Sequence, residues 1–201
     1  MTKEFDGGLR KEHQTSIGID QSLTGFAFSA VSVESPIEHL TWVYKSPYSG
    51  VQRLADIQEF LYLRFEALNN RGNVVTNIAM EGTVLSSFAA LSSGALDATV
   101  KLFLYEHFAP HAHYGYDTAP ELRAPLQVPP TTLKKYATGK GTAKKQEMLL
   151  QIYKRWGVEF NDDNAADAYA LGRLAGGHAI DKIEQEVLDK MMDLKYRDAI
   201  K

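Results

Sequence analysis

Residues 16–31, SIGIDQSLTGFAFSAV, decide how the rest of the chain is read. Ile17, Gly18 and Ile19 begin a buried strand, but the run stops on Asp20, passes through the small polar turn Gln21-Ser22-Leu23-Thr24-Gly25, and resumes as a second apolar run. A carboxylate at the end of a buried strand is costly unless something offsets its lost hydration. Two accounts are open. Asp20 caps the turn by accepting a hydrogen bond from the amide of Ser22 or Leu23, or it serves a cation.

Around that stretch, strands are expected at residues 15–20, 24–33 and 38–46, rich in aromatic and β-branched residues and joined by turns as an antiparallel meander. Leu54, Ile57, Leu61 and Phe65 then recur at helical spacing until Asn-Asn-Arg-Gly stops them. NVVTNIAME follows as a second buried strand that ends on an acid, Glu81. The small and apolar stretch from residue 84 to 107 reads as one helix, and residues 109–130 as a Pro-rich irregular region with HAHYGYD and LQV as short strand candidates. TTLKKYA and AKKQEMLLQIYKRWG read as two helices, and DDNAADAYALGRLAGG as a third whose start is crowded with acids. Residues 178–197 are expected to continue as an amphipathic helix with Ile180, Ile183, Val187, Met191 and Leu194 on one face. Residues 1–13 are polar and are expected to fray.

Composition restricts the chemistry. The chain has 201 residues, 44% of them hydrophobic, enough for one sizeable core. It has no cysteine, so thiolate metal sites and disulfides are excluded and any bound metal must be held by oxygen or imidazole. The six histidines show no tight ligand spacing. No apolar run approaches the roughly 20 residues of a membrane span, and the N-terminus lacks the apolar centre of a secretory signal, so a soluble intracellular protein with no membrane partner is expected.

The net charge of −3 argues against general polyanion binding, but the charge is unevenly placed. Residues 127–158 hold seven basic residues against one acid, Glu147. That block is either a solvated helix face or a phosphate-binding surface. The turn Thr138-Gly139-Lys140-Gly141-Thr142 favours phosphate, because glycines let the backbone approach closely and lysines neutralise charge. It lacks Walker A spacing.

The order of elements fits a mixed sheet flanked by helices. A crossover helix would set the strand ending in Asp20 beside, and parallel to, the strand ending in Glu81. The acid-rich start of the helix near residues 162–167 would then cap the same edge. Carboxylates that close repel and raise one another's pKa unless a positive charge lies between them. Capping explains Asp20 or Glu81 singly, whereas a divalent cation explains the three together.

GIDQSLTGFAF, IAMEG, VPPTTLKKYATGKGTAKKQEM and NAADAYAL, in that order, resemble the successive motifs of RuvC-type Holliday junction resolvases, particularly their phage-encoded branch, over residues 16 to about 175. The resemblance implies an RNase H-like α/β fold, read here as a five-stranded mixed sheet flanked by helices. The nuclease domain would span residues 14–177, with residues 178–201 a helical extension. It further implies a homodimer that nicks opposed strands of branched DNA, a four-way junction, with two Mg²⁺ per active site and Mn²⁺ as a substitute, in the cytoplasm of a bacterium or a phage-infected cell. The family's catalytic carboxylates match Asp20, Glu81 and Asp167, and its DNA-contacting lysines near the active site match Lys134 and Lys145, with Lys145 catalytic. Lys135, Lys140 and Lys144 complete the expected DNA-binding set.

Where the family carries Asp or His three positions before its last aspartate, this chain has Asn164, which brings an oxygen but no charge. Asp163 is the better candidate to supply that charge, one helical turn before Asp167. Phe88 is the nearest aromatic to the position at which some members insert a wedge. The turn after Asp20 is shorter than in bacterial members, so their sequence preference is not carried over to this chain. Three rival functions follow from the same residues: a less selective branched-DNA endonuclease, a catalytically weak junction-binding protein, and an actin-like ATPase suggested by GID followed by Thr-Gly.

Overall fold

A computed structural model describes residues 1–82, 90–108 and 125–193. The meander forms as expected: β2 (Gln14–Asp20), β3 (Phe26–Ser32) and β4 (His39–Tyr44) pair antiparallel in sequence order. After α1 (Gly50–Asn70), β5 (Val74–Glu81) returns parallel to β2, with Ile17 opposite Ile78 and Ile19 opposite Met80. α2 (Ala90–Phe108) and β6 (Leu126–Val128) follow, the latter pairing parallel with β5. Then come α3 (Pro130–Thr138), α4 (Lys145–Trp156), α5 (Asp163–Ala175) and α6 (Lys182–Met192).

Among the described residues the sheet has six strands rather than five, in the order β1-β4-β3-β2-β5-β6. The additional strand is β1 (Thr2–Asp6), in the segment expected to fray. It pairs antiparallel with β4, so that edge pairing stabilises a sequence too polar to announce itself. Side-chain contacts secure it: the Trp42 indole donates to Glu4 at 2.9 Å, and Lys3 pairs with Asp162 at 3.0 Å.

Alternation along each strand divides the core between two faces. Ile17, Ile19, Phe26, Phe28, Trp42, Ile78 and Met80 point towards α1 and α2, where Phe60, Leu61, Val100 and Phe103 receive them. Ala27, Val31, Val43 and Ala79 point the other way, into the layer of α3 to α6. Ser16, Gly18 and Asp20 share this second face by the same period, as does Glu81 two residues after Ala79.

The C-terminal helix is shorter than its periodicity suggests. α6 starts only at Lys182, because Asp181 caps it by accepting from the Glu184 amide at 2.9 Å. Ile180 therefore lies outside the helix and is exposed, as is Ile183, whereas Val187, Leu188 and Met191 are buried. Glu184 is fully buried and accepts from Arg155, the Trp156 indole and the Ile180 amide, fastening α6 to α4. HAHYGYD, Phe88 and Leu194 lie outside the described residues.

One contact sets the distance between α5 and the sheet. A Cβ on Gly18 would overlap the Ala168 carbonyl oxygen and the Gly172 amide nitrogen, and a Cβ on Gly172 would come within 2.8 Å of Val31. The Ser16 hydroxyl donates to the Gly172 carbonyl at 2.7 Å. Because the atoms that obstruct a Cβ on Gly18 are all backbone, Gly18→Ala cannot be absorbed by a rotamer change. It is expected to destabilise the protein by about 3 kcal/mol or more. Urea unfolding measures this; an unchanged midpoint would mean that α5 does not ride directly on β2.

Candidate active site

Asp20 closes β2 and Glu81 closes β5, one position beyond the last paired rung, Ile19 and Met80. Both point to the α5 face. On α5, Ala168 and Gly172 lie against Gly18, which sets Asp167, one residue before Ala168, at the same edge. Asp20 is buried, with 5% of its surface exposed, and Glu81 and Asp167 are part-buried. Among the described residues no side chain donates a hydrogen bond to any of these three carboxylates.

Their titration reflects that environment. Asp20 is held well above the usual carboxylate range, first by burial and then by the charges of Glu81 and Asp167. Asp167 is pushed up to about 7 by burial, with Glu81 and Asp163 adding repulsion. Burial also raises Glu81, against the opposing pull of Lys134 and Lys145. Desolvation and mutual repulsion, without compensating donors, are what a cation would relieve.

Asp163 stands apart from that trio. It is ion-paired with Lys145, which depresses its pKa, and the charge of Lys45 acts in the same direction. The Lys145 ammonium in turn feels Asp163 first, then Asp167 and Asp20. Asp162 is the helix N-cap, its side chain accepting from the Asn164 amide at 3.1 Å while holding Lys3. Asn164 leans towards the β2–β3 turn, since a Cβ on Gly25 would collide with its side-chain nitrogen.

The structure thus brings together Asp20, Glu81, Asp163, Asp167, Lys134 and Lys145. The remaining lysines are more dispersed. Lys135 faces α6, 3.8 Å from Glu186, and Lys140 is exposed in the glycine turn, 3.9 Å from Glu147. Lys144 is exposed at the N-cap of α4. Three residues that bear on this edge carried no sequence signal: Lys3 and Lys45, which flank the start of α5, and Gln21, whose side-chain amide donates to the Glu81 carbonyl at 2.8 Å.

The donors available are hard oxygens: three desolvated carboxylates and, on the same helix start, Asp163 and Asn164. They suit Mg²⁺ or Mn²⁺ in type and charge. Among the described residues, no three His, Asp or Glu side chains stand close enough together to enclose an ion. Ligation therefore requires the carboxylates to turn towards one another from backbones already fixed at one edge.

No protein-family model matches the chain, and no curated protein matches it. Solved structures do. Thermus thermophilus RuvC is similar with a TM-score of 0.57 and 20% identity, over 79% of this chain and 90% of that one. T. thermophilus RuvC in complex with Holliday junction substrate gives 0.58 and 20%, over 80% and 91%. The chain has the RuvC fold. Its mixed sheet between two helical layers is an RNase H-like architecture, with the acidic edge at the ends of β2 and β5.

The pKa shifts fix the sign of these acids' contribution to the pH dependence of stability. Between the ordinary carboxylate range and pH 7, folded Asp167 keeps a proton that the unfolded chain has released, and Asp20 and Glu81 are shifted in the same direction. At these three acids the folded state binds more protons, so without divalent ions their contribution to stability declines as pH rises from about 4 through 7, whereas His39 and His178, whose pKa values burial lowers, act in the opposite direction. Asp167→Asn is expected to flatten that decline and to be more stable than wild type at pH 8 by on the order of 1–3 kcal/mol. Urea midpoints at pH 5 and pH 8 in chelator measure both effects. A variant whose stability relative to wild type fails to rise from pH 5 to pH 8, or one less stable than wild type at pH 8, would contradict the electrostatics.

Proposed function

We propose that the chain is a Mg²⁺-dependent, structure-specific endonuclease that resolves four-way DNA junctions by paired nicking as a homodimer, in the cytoplasm of a bacterium or a phage-infected cell. One observation carries the reading: on a RuvC fold, the carboxylates of Asp20, Glu81 and Asp167 come from two parallel strand ends and a helix to one edge, buried or part-buried and, among the described residues, without donors. The T. thermophilus RuvC structure solved with Holliday junction substrate supports the choice of DNA.

In this reading Asp20, Glu81 and Asp167 hold the metal, with Mn²⁺ able to replace Mg²⁺. Bound divalent ions supply Lewis-acid stabilisation of charge in an in-line displacement at a phosphodiester. The rest is the work of the chain. Lys145, tethered by Asp163, presents an ammonium beside the carboxylates to stabilise charge building on the scissile phosphate. Lys134 adds a second positive charge at the same edge. Lys140 and Lys144, on the turn between α3 and α4, hold the strand by its phosphates, and Lys135 lies at the far side of that surface.

Paired nicking needs two active sites at a fixed spacing. What supports a homodimer is the outer face of α2. Leu91, Ala95, Ala98, Leu102 and Tyr105 are all exposed and recur at alternating steps of four and three, the seam of a helix that packs along another helix. Leu91, Leu102 and Tyr105 are 87%, 52% and 60% exposed, so an apolar stripe covers most of the helix length.

Asn164 favours one competing reading, a protein that binds junctions but cleaves weakly, because an amide adds no charge to the metal site. Incubating a synthetic four-way junction with Mg²⁺ separates the two. Wild type is expected to give paired nicks and Asp20→Asn none, with junction affinity in Ca²⁺ changed less than about 2-fold. Cleavage by Asp20→Asn at the wild-type rate would remove Asp20 from the site, and no cleavage by wild type would favour the binding protein. The dimer is tested by sedimentation: Leu102→Glu is expected to run as a folded monomer, and a dimer of unchanged affinity would show that α2 is not the interface.

A further inference from the structure

We propose that Gln21 is a positioning residue that locks the strand ends bearing Asp20 and Glu81 to each other and to α2, and so sets the affinity of the edge for a divalent cation. The proposal rests on the reading of that edge as a metal site.

The backbone ladder between β2 and β5 ends at Ile19 and Met80. Glu81 is paired with Val128 of β6 on its other side, and the next amide, Gly82, donates to the Val128 carbonyl at 2.8 Å. The Glu81 carbonyl therefore faces β2 just where β2 has turned away into residues 21–25. Gln21 meets it there. Its side-chain amide donates to that carbonyl at 2.8 Å and to the Asp97 carboxylate at 3.0 Å.

The side chain thus supplies one more rung between the two strands at the point where their metal-facing acids stand. Because Gln21 follows Asp20, its side chain leaves on the opposite face of the sheet, towards α2, so it joins the strands from behind the acidic edge without entering it. Asp97 is itself held, 2.8 Å from Lys101 one turn along α2. Asp20 and Glu81 repel each other at this edge, so with no rung behind it the end of β5 can move with β6 away from β2. A spread edge would have to be drawn in at the expense of ion binding.

The test is Mn²⁺ binding to the full chain, followed by the electron paramagnetic resonance of free Mn²⁺, with thermal unfolding in chelator alongside. Gln21→Met keeps the length and packing of the side chain and removes both donors. It is expected to weaken Mn²⁺ binding about 10-fold, in the range found when groups behind metal ligands are removed, with the unfolding midpoint in chelator little changed. Asp97→Ala is expected to weaken it in the same direction, and the double variant to be no weaker than Gln21→Met alone, since both act through one link. Wild-type Mn²⁺ affinity in Gln21→Met would overturn the proposal, including the case in which only the midpoint falls. Failure of the wild-type chain itself to bind Mn²⁺ would overturn the metal reading and this proposal together.

Discussion

The approach of α5 to the sheet is the constraint on which the acidic edge depends. Helices pack on sheets through side chains, but here Gly18 of β2 has none, and the Ala168 carbonyl and Gly172 amide occupy the space it leaves. The Ser16 hydroxyl spans the gap to the Gly172 carbonyl. Backbone-to-backbone contact leaves α5 little freedom to slide or rise. A helix held at side-chain distance would carry Asp167 away from Asp20 by the thickness of a methyl or isopropyl group. Small residues along α5 thus give positional accuracy to a charge at its start.

That accuracy works against the ion-free fold. Asp20, Glu81 and Asp167 are desolvated on one face with no donor among the described residues, and each is shifted towards its neutral form. Lys145 and Lys134 relieve part of the repulsion, and Asp163 draws Lys145 in from the solvent side. Four carboxylates against two ammonium groups still leave negative charge in excess. A fold selected for stability alone would replace these acids with amides or apolar residues. Their convergence, desolvated, at one edge of the sheet is the physical argument for a cation, and it is independent of the likeness to RuvC.

The meander and the parallel return of β5 were legible in the sequence because their apolar runs are long, alternate cleanly and end at small polar turns. Asp20 and Glu81 were legible for a related reason, since an acid ending a buried run breaks the pattern. β1 was not, because TKEFD holds a single large apolar residue and owes its place to β4 and to Lys3 on Asp162. The start of α6 was misread because Ile180 and Ile183 fit a helical period that the Asp181 cap interrupts. Gln21 had no local pattern at all. Its meaning lies in a carbonyl 60 residues away and a carboxylate 76 residues away, which only the assembled sheet and α2 bring within reach.

The most direct measurement of the central claim is a crystal soaked in Mn²⁺ and read by anomalous scattering. Density is expected at the acidic edge, within coordination distance of oxygens from Asp20, Glu81 and Asp167. A crystal that takes up Mn²⁺ elsewhere while these carboxylates remain apart, or that shows no density there at saturating Mn²⁺, would contradict it.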